Sequence, residues 1–179
     1  MRVVIFIILI SLNWIAGDER YNLPQPAVRK IDKTLAAYFP EIEITKKSVS
    51  LSTEEQGELS FKLKEKKFFQ LWSNSELKGY MYIDEAKSKF DAFDYMVIFN
   101  PDLTIMTSKV LMYREDYGSE ITSKRWLRQF NNKSNGQHMK LGDDIQVISG
   151  ATISCRAITI GIHQLSTNIQ ELKSQGFLN

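Results

Sequence analysis

The sequence predicts an α+β fold: an antiparallel sheet with helices packed on it. Two observations carry this. Four aromatic or β-branched runs follow one another between residues 68 and 113, separated by turn residues. Helical periodicity brackets them at both ends of the chain, which is the order expected of a layered α+β domain rather than of alternating parallel units.

The first residues are set apart from this fold. Arg2 precedes an apolar run from Val3 to Ile10, a weaker one from Leu12 to Gly17, and the abrupt charges Asp18, Glu19 and Arg20. A basic start, an apolar middle and a small-residue exit at Ala16-Gly17 read as a secretory signal peptide, residues 1–17. The run is short of the ~20 apolar residues of a spanning helix, and an uncleaved N-terminal anchor is the alternative. An exported protein at the outer face of the cytoplasmic membrane, or in the periplasm, is the expectation.

Residues 18–76 then form a helical and strand extension. Pro24 and Pro26 open it, and Ala27–Phe39 reads as a helix with Ile31, Leu35, Tyr38 and Phe39 on one face, stopped by Pro40. Ile42 and Ile44 alternate with polar residues as a short strand. Ser52 and Glu55 have capping-box spacing, predicting a second helix to about Glu65. The four strand runs are Phe68–Trp72, Leu77–Ile83, Phe93–Phe99 and Leu103–Tyr113. Asn74-Ser75 and Asn100-Pro101-Asp102 supply turns, and the last pair forms the clearest hairpin. Asn131–Gly136 is a polar loop. Ile145–Ile148 reads as a short apolar strand. Cys155, Ile158, Ile162, Leu165, Ile169 and Leu172 then recur at steps of three and four, the stripe of a C-terminal helix beginning near Thr152.

Composition excludes several classes. The 179 residues are 43% hydrophobic and 25% charged, with a formal charge of +2. Acidic and basic residues are interspersed, so no strong field for nucleic acid arises, and the lysines at 62, 64, 66 and 67, mixed with Glu58 and Glu65, read as a solvated face. The single cysteine, Cys155, cannot form an intramolecular disulfide and reads as an inert thiol within the stripe. His138 and His163 lack partners at metal-ligand spacing, so no metal site is expected. No dinucleotide fingerprint, P-loop or nucleophile elbow is present.

One segment carries chemistry. Ser149-Gly150-Ala151-Thr152 stands where a strand turns into the last helix. The first N–H groups of a helix lack intrahelical partners and carry the positive end of its dipole, so an anion is stabilised there. Gly150 and Ala151 allow close approach, and Ser149 and Thr152 bring hydroxyls. From these four residues alone, plain helix capping is the commoner role.

The run Ile148-Ser149-Gly150-Ala151-Thr152-Ile153-Ser154 resembles the signature of the FMN-binding domain family. That family includes the covalently flavinylated subunits of sodium-translocating NADH:quinone reductase and of Rnf-type complexes. The resemblance extends to Gly79-Tyr80 opening a strand, the hairpin from Tyr95 to Tyr113, the loop Tyr113–Ile121 where relatives carry a Glu-Thr-Pro-Gly-like sequence, and Trp126–Phe130. It covers roughly residues 77–172 and implies an FMN-binding domain over 77–179.

The resemblance further implies a flavin site at the N-terminus of the C-terminal helix, with FMN joined to Thr152 through a phosphoester installed by a flavin transferase. Ser149, Gly150 and Ala151 accompany Thr152 there, and Tyr117, Gly118, Glu120, Trp126 and Gln129 are the expected flavin neighbours. The protein would be an electron carrier working with membrane electron-transport proteins, in preference to a stand-alone flavin reductase. The family's pattern has an acid three residues before Ser149. Here that position is Gln146, with Asp143 and Asp144 slightly earlier, which keeps open non-covalent FMN, or a docking module of the same fold with loose or no flavin.

Overall fold

The structure is a computed structural model that describes residues 21–63, 67–135 and 139–178. The signal segment, Lys64 and Lys66 of the lysine cluster, Gly136 and His138 lie outside the described residues. Among the described residues the helices and strands are, in order, α1 Gln25–Tyr38, β1 Thr45–Ser48, α2 Thr53–Gly57, β2 Phe68–Ser73, β3 Glu76–Lys87, β4 Ala92–Phe99, β5 Ile105–Met112, α3 Lys124–Leu127 and α4 Thr152–Ser174. Ser119–Thr122 and Arg128–Phe130 are short 3₁₀ turns on either side of α3.

The strands form one antiparallel sheet in chain order, β1-β2-β3-β4-β5. Simple up-and-down order follows from short turns. Asn74 and Ser75 both take positive φ, 47° and 66°, the twisted two-residue hairpin geometry that suits paired strands. Between β4 and β5, Asn100 N–H reaches the Thr104 carbonyl at 2.9 Å, and Asp102 Oδ1 accepts from the Thr104 N–H and hydroxyl at 2.9 and 2.6 Å. The sheet continues across residues 76 and 77, where the expected extension would have met the expected domain, and that boundary falls in the β2–β3 hairpin.

Alternation along the strands sends side chains to two cores, so the sheet is the middle of three layers. Phe93, Tyr95, Val97 and Phe99 of β4 join the core under α4, whereas Met96 and Ile98 join the core under α1. On α1, Ala27, Ile31 and Leu35 recur at i, i+4 and are buried; Pro24 precedes the helix and Phe39-Pro40 ends it. On α4 every member of the predicted stripe is buried. Burying each such aliphatic side chain contributes about 1.5–3 kcal/mol before chain entropy is counted. α4 approaches the sheet closely at Gly161, where a Cβ would collide with the Tyr95 hydroxyl.

Several expectations are corrected. The first strand starts at Thr45, not at Ile42, which is exposed. Its position is set by pairing Thr45–Ser48 with Trp72–Phe69 at the sheet edge, not by apolar alternation. The capping box is present, yet α2 ends at Gly57 rather than near Glu65. β5 starts at Ile105 because Leu103, at φ 67°, still belongs to the turn. Ile145–Ile148 is not a strand: only a single parallel bridge pairs Leu141 with Ile145. The polar loop that follows Phe130 is held to β5, with Asn132 N–H donating to the Ile105 carbonyl and Ile105 N–H to the Lys133 carbonyl, both at 2.8 Å.

Candidate functional site

The entrance to α4 is built as a turn that leaves the helix end open. Ala151 N–H donates to the Ile148 carbonyl at 3.1 Å, with Gly150 at φ +82° in the third position of the turn, a conformation that favours glycine. Ala151, 3% exposed, occupies the N-cap and has no side chain with which to cap. Neither Ser149 nor Thr152 performs the capping that is their commonest role. Among the described residues, no side chain or loop carbonyl receives the N–H groups of Thr152, Ile153 and Ser154. Ser149, Gly150 and Thr152 are exposed, and a Cβ built on Gly150 meets nothing within 4 Å. The result is a cluster of N–H donors, two hydroxyls and free space at the positive end of a 23-residue helix.

Two loops are fastened to this end. Tyr113 Oη donates to the Tyr117 carbonyl at 3.0 Å, so it accepts from Ser154 Oγ at 3.2 Å, and Ser154 in turn accepts from Ser88 Oγ at 2.6 Å. This relay joins the β3–β4 loop, the loop after β5 and the first turn of α4. Glu115 ties the two loops together by accepting from the Phe90 and Asp91 N–H groups at 2.7 and 3.0 Å, and those bonds hold its carboxyl below the usual glutamate range. Arg114 donates to the buried Asp94 carboxylate at 2.6 Å and to the Ala92 carbonyl at 2.8 Å. Gly118, at φ +77°, lies against Ala151.

The segment leading into the turn is gripped by its backbone. Trp126 Nε1 donates to the Gln146 carbonyl at 2.7 Å, and Gln146 N–H donates to Gln129 Oε1 at 2.8 Å. Gln129 Nε2 returns to the Trp126 carbonyl at 2.9 Å. Trp126 is buried and edge-on to Phe130 at 5.5 Å. Trp126 and Gln129, both expected beside the ligand, therefore spend their polar groups on holding the approach to Ser149. Glu120 is exposed in the 3₁₀ turn after Gly118. Asp143 pairs with Lys140 at 2.9 Å and Asp144 accepts the Lys140 N–H at 3.1 Å. Cys155 is buried and burial raises its thiol pKa, as expected of an inert thiol.

Apolar surface gathers at the same end. Among the described residues, four of the six exposed large apolar side chains are Phe90, Tyr117, Val147 and Ile153. All four sit on the segments that converge on Thr152. Tyr117 is 83% and Phe90 82% exposed, and Lys89 Nζ lies 4.8 Å from the Phe90 ring centroid. Phe90, Ser88 and Ser154 were not among the sequence candidates. An aromatic residue placed in a tight loop, Lys89-Phe90-Asp91, is the one local signal that could have marked Phe90.

Residues 89–166 match the model of the FMN-binding domain family. That segment is similar to an FMN-binding domain. The matched segment starts in the loop that carries Phe90 and ends within α4. It contains the Ser149–Thr152 turn and all four exposed apolar residues but not Ser88, and FMN is the cofactor that the match indicates. Among solved structures, the chain is similar to the crystal structure of Shewanella oneidensis NqrC at 18% identity and a TM-score of 0.45, over 62% of this chain and 59% of that one. The chain thus spans less than two thirds of that relative. No curated protein matches the sequence. Among the described residues no helix is long and apolar enough to cross a membrane, and no three His, Cys, Asp or Glu side chains cluster as metal ligands.

Proposed function

We propose that this protein is an exported electron carrier whose FMN is attached through its phosphate to Thr152 Oγ1. The observation that carries the reading is the coincidence, inside the FMN-binding domain, of an uncapped helix entrance, an exposed Thr152 hydroxyl and four exposed apolar side chains. The residues fit the group on three counts. The N–H groups of Thr152 to Ser154 suit phosphate oxygens. A Cβ built on Gly150 meets nothing within 4 Å, which leaves the backbone there open to a phosphate. Tyr117 and Phe90 offer aromatic surface for the ring system, with Val147 and Ile153 as apolar rims.

FMN supplies one- or two-electron chemistry when bound. The chain's own contribution is placement. Trp126 and Gln129 hold Gln146 so that the turn at Ser149-Gly150 keeps its shape. Ser88, Ser154 and Tyr113 hold the loop of Tyr117 against the helix. Exposure of Phe90 and Tyr117 leaves an approach for a partner, which we take to be a membrane electron-transport protein.

Thr152 needs a flavin transferase to receive the cofactor, and its exposed hydroxyl is accessible to one. The covalent reading rests on the resemblance of residues 148–154, and export rests on the apolar run that ends at Gly17. Intact-mass measurement after co-expression with and without a flavin transferase tests the attachment. The expected mass gain is one FMN less one water, only with the transferase, and absent in Thr152→Val. FMN retained through desalting without a mass gain would replace the covalent reading by a non-covalent one. Neither flavin nor mass gain would leave a docking module.

A further inference from the structure

A second concavity lies on the opposite side of α3. It encloses about 410 Å³ between α1, the edge strand β5 and α3, a size typical of small-molecule sites. Its walls carry Lys30, Lys33, Lys109, Lys124 and Arg128, and among the described residues no carboxylate lines it. None of these five cations forms an ion pair among the described residues. Like charges gathered without counter-charges repel, and the strain shows at Lys30: burial and then neighbouring Lys109 pull its pKa down, and one of its N–H groups goes to the Leu111 carbonyl at 2.8 Å.

The groove is rich in donors that lack acceptors. Tyr38 Oη donates to Thr107 Oγ1 at 2.9 Å, so the Thr107 hydroxyl, on a residue only 7% exposed, keeps its own hydrogen for an acceptor that the described chain does not provide. Ala37, Tyr38 and Leu127 add apolar surface beside these groups. A complementary ligand is small, partly apolar and carries several acceptor oxygens with multiple negative charge.

We propose that this groove binds a phosphorylated small molecule, its phosphate between Lys109, Lys124, Arg128 and the Thr107 hydroxyl, and its organic part against Tyr38 and Leu127. Phosphate is favoured over a single carboxylate because several cations converge and charge-assisted bonds to phosphate oxygens are the strong ones. The phosphate can belong to a soluble ester or to a lipid headgroup. This site is independent of the flavin reading: α3 separates the two, with Lys124 and Leu127 lining the groove, followed by Arg128 of the next turn, and Trp126 bonded to Gln146.

Calorimetric titration of the full chain with sodium pyrophosphate is the test, paired with sedimentation on phosphatidylglycerol vesicles. Saturable one-to-one binding with Kd below about 1 mM is expected. It should weaken about tenfold or more in Lys109→Glu/Lys124→Glu. Lys62→Glu should leave it unchanged, with thermal unfolding confirming that each variant folds. Pyrophosphate binding without sedimentation assigns a soluble phosphate. Sedimentation that pyrophosphate reverses and Lys109→Glu/Lys124→Glu abolishes assigns a headgroup. No saturable binding to either probe, or binding weakened equally by Lys62→Glu, overturns the proposal.

Discussion

Gly118 and Ala151 meet at the mouth of α4: a Cβ on Gly118 would stand 2.8 Å from the Ala151 Cβ and 3.1 Å from the Tyr113 hydroxyl. Thirty-three residues of chain separate them, yet their contact joins the loop of Tyr117 to the turn that presents Thr152. At φ +77° Gly118 also has a backbone that L side chains resist. Gly118→Ala is therefore expected to destabilise the fold by about 1–3 kcal/mol. Because the loop must move off Ala151, FMN retention should fall as well. Thermal unfolding and the ratio of flavin to protein absorbance measure the two effects.

Trp126 acts on the site at a distance. Replacing it with Phe removes the indole N–H that holds the Gln146 carbonyl while keeping an aromatic ring against Phe130. The expected loss is about 0.5–1.5 kcal/mol of stability, together with reduced flavin loading although no proposed phosphate contact is touched. Gln129→Ala, which frees the Gln146 N–H, should do the same. Loading equal to the parent protein in both variants would show that the clamp serves stability alone.

Gly161 sets how closely α4 lies on β4. Its Cα faces the hydroxyl of Tyr95, a fully buried side chain with little room to retreat. Gly161→Ala should cost about 1–3 kcal/mol by overpacking. Adding Tyr95→Phe removes the oxygen in conflict and should recover about half of that loss, a coupling that two independent sites would not show. Denaturant unfolding of the single and double variants completes the cycle.

Acid should loosen the two loops. Glu115 has a folded-state pKa held below the usual value by the N–H groups of Phe90 and Asp91. A depressed carboxylate stabilises the fold above its unfolded pKa and loses that contribution as pH falls through the folded value. From about pH 4.3 downward, the parent protein should lose melting temperature faster than Glu115→Gln. Asp102 and Glu171 are depressed too, but they are shared by both proteins and cancel in the difference.

The parts legible in the sequence were those with local causes. Period 3.6 marks the α4 stripe, aromatic runs mark the strands, and Asn74-Ser75 and Asn100–Asp102 mark the turns. Ser149–Thr152 stood out through a motif and through the elementary electrostatics of helix ends. What escaped has non-local causes. Ile145–Ile148 looks like a strand, but both Gln146 backbone groups are taken by side chains from α3 and the turn after it. β1 is placed by its partner strand. The relay from Ser88 through Ser154 to Tyr113 spans 66 and 41 residues, and nothing in the order of residues announces it. The basic groove likewise draws its lysines from three elements whose meeting depends on the sheet.

The central claim, that Thr152 bears the flavin, is met most directly by peptide mapping of protein purified from its own host. Trypsin cuts after Lys140 and Arg156, releasing residues 141–156 as one peptide. The account predicts that this peptide is fluorescent, carries one FMN less one water, and fragments with the added mass on Thr152. An unmodified peptide in flavin-containing protein, or added mass on Ser149 or Ser154, would contradict it.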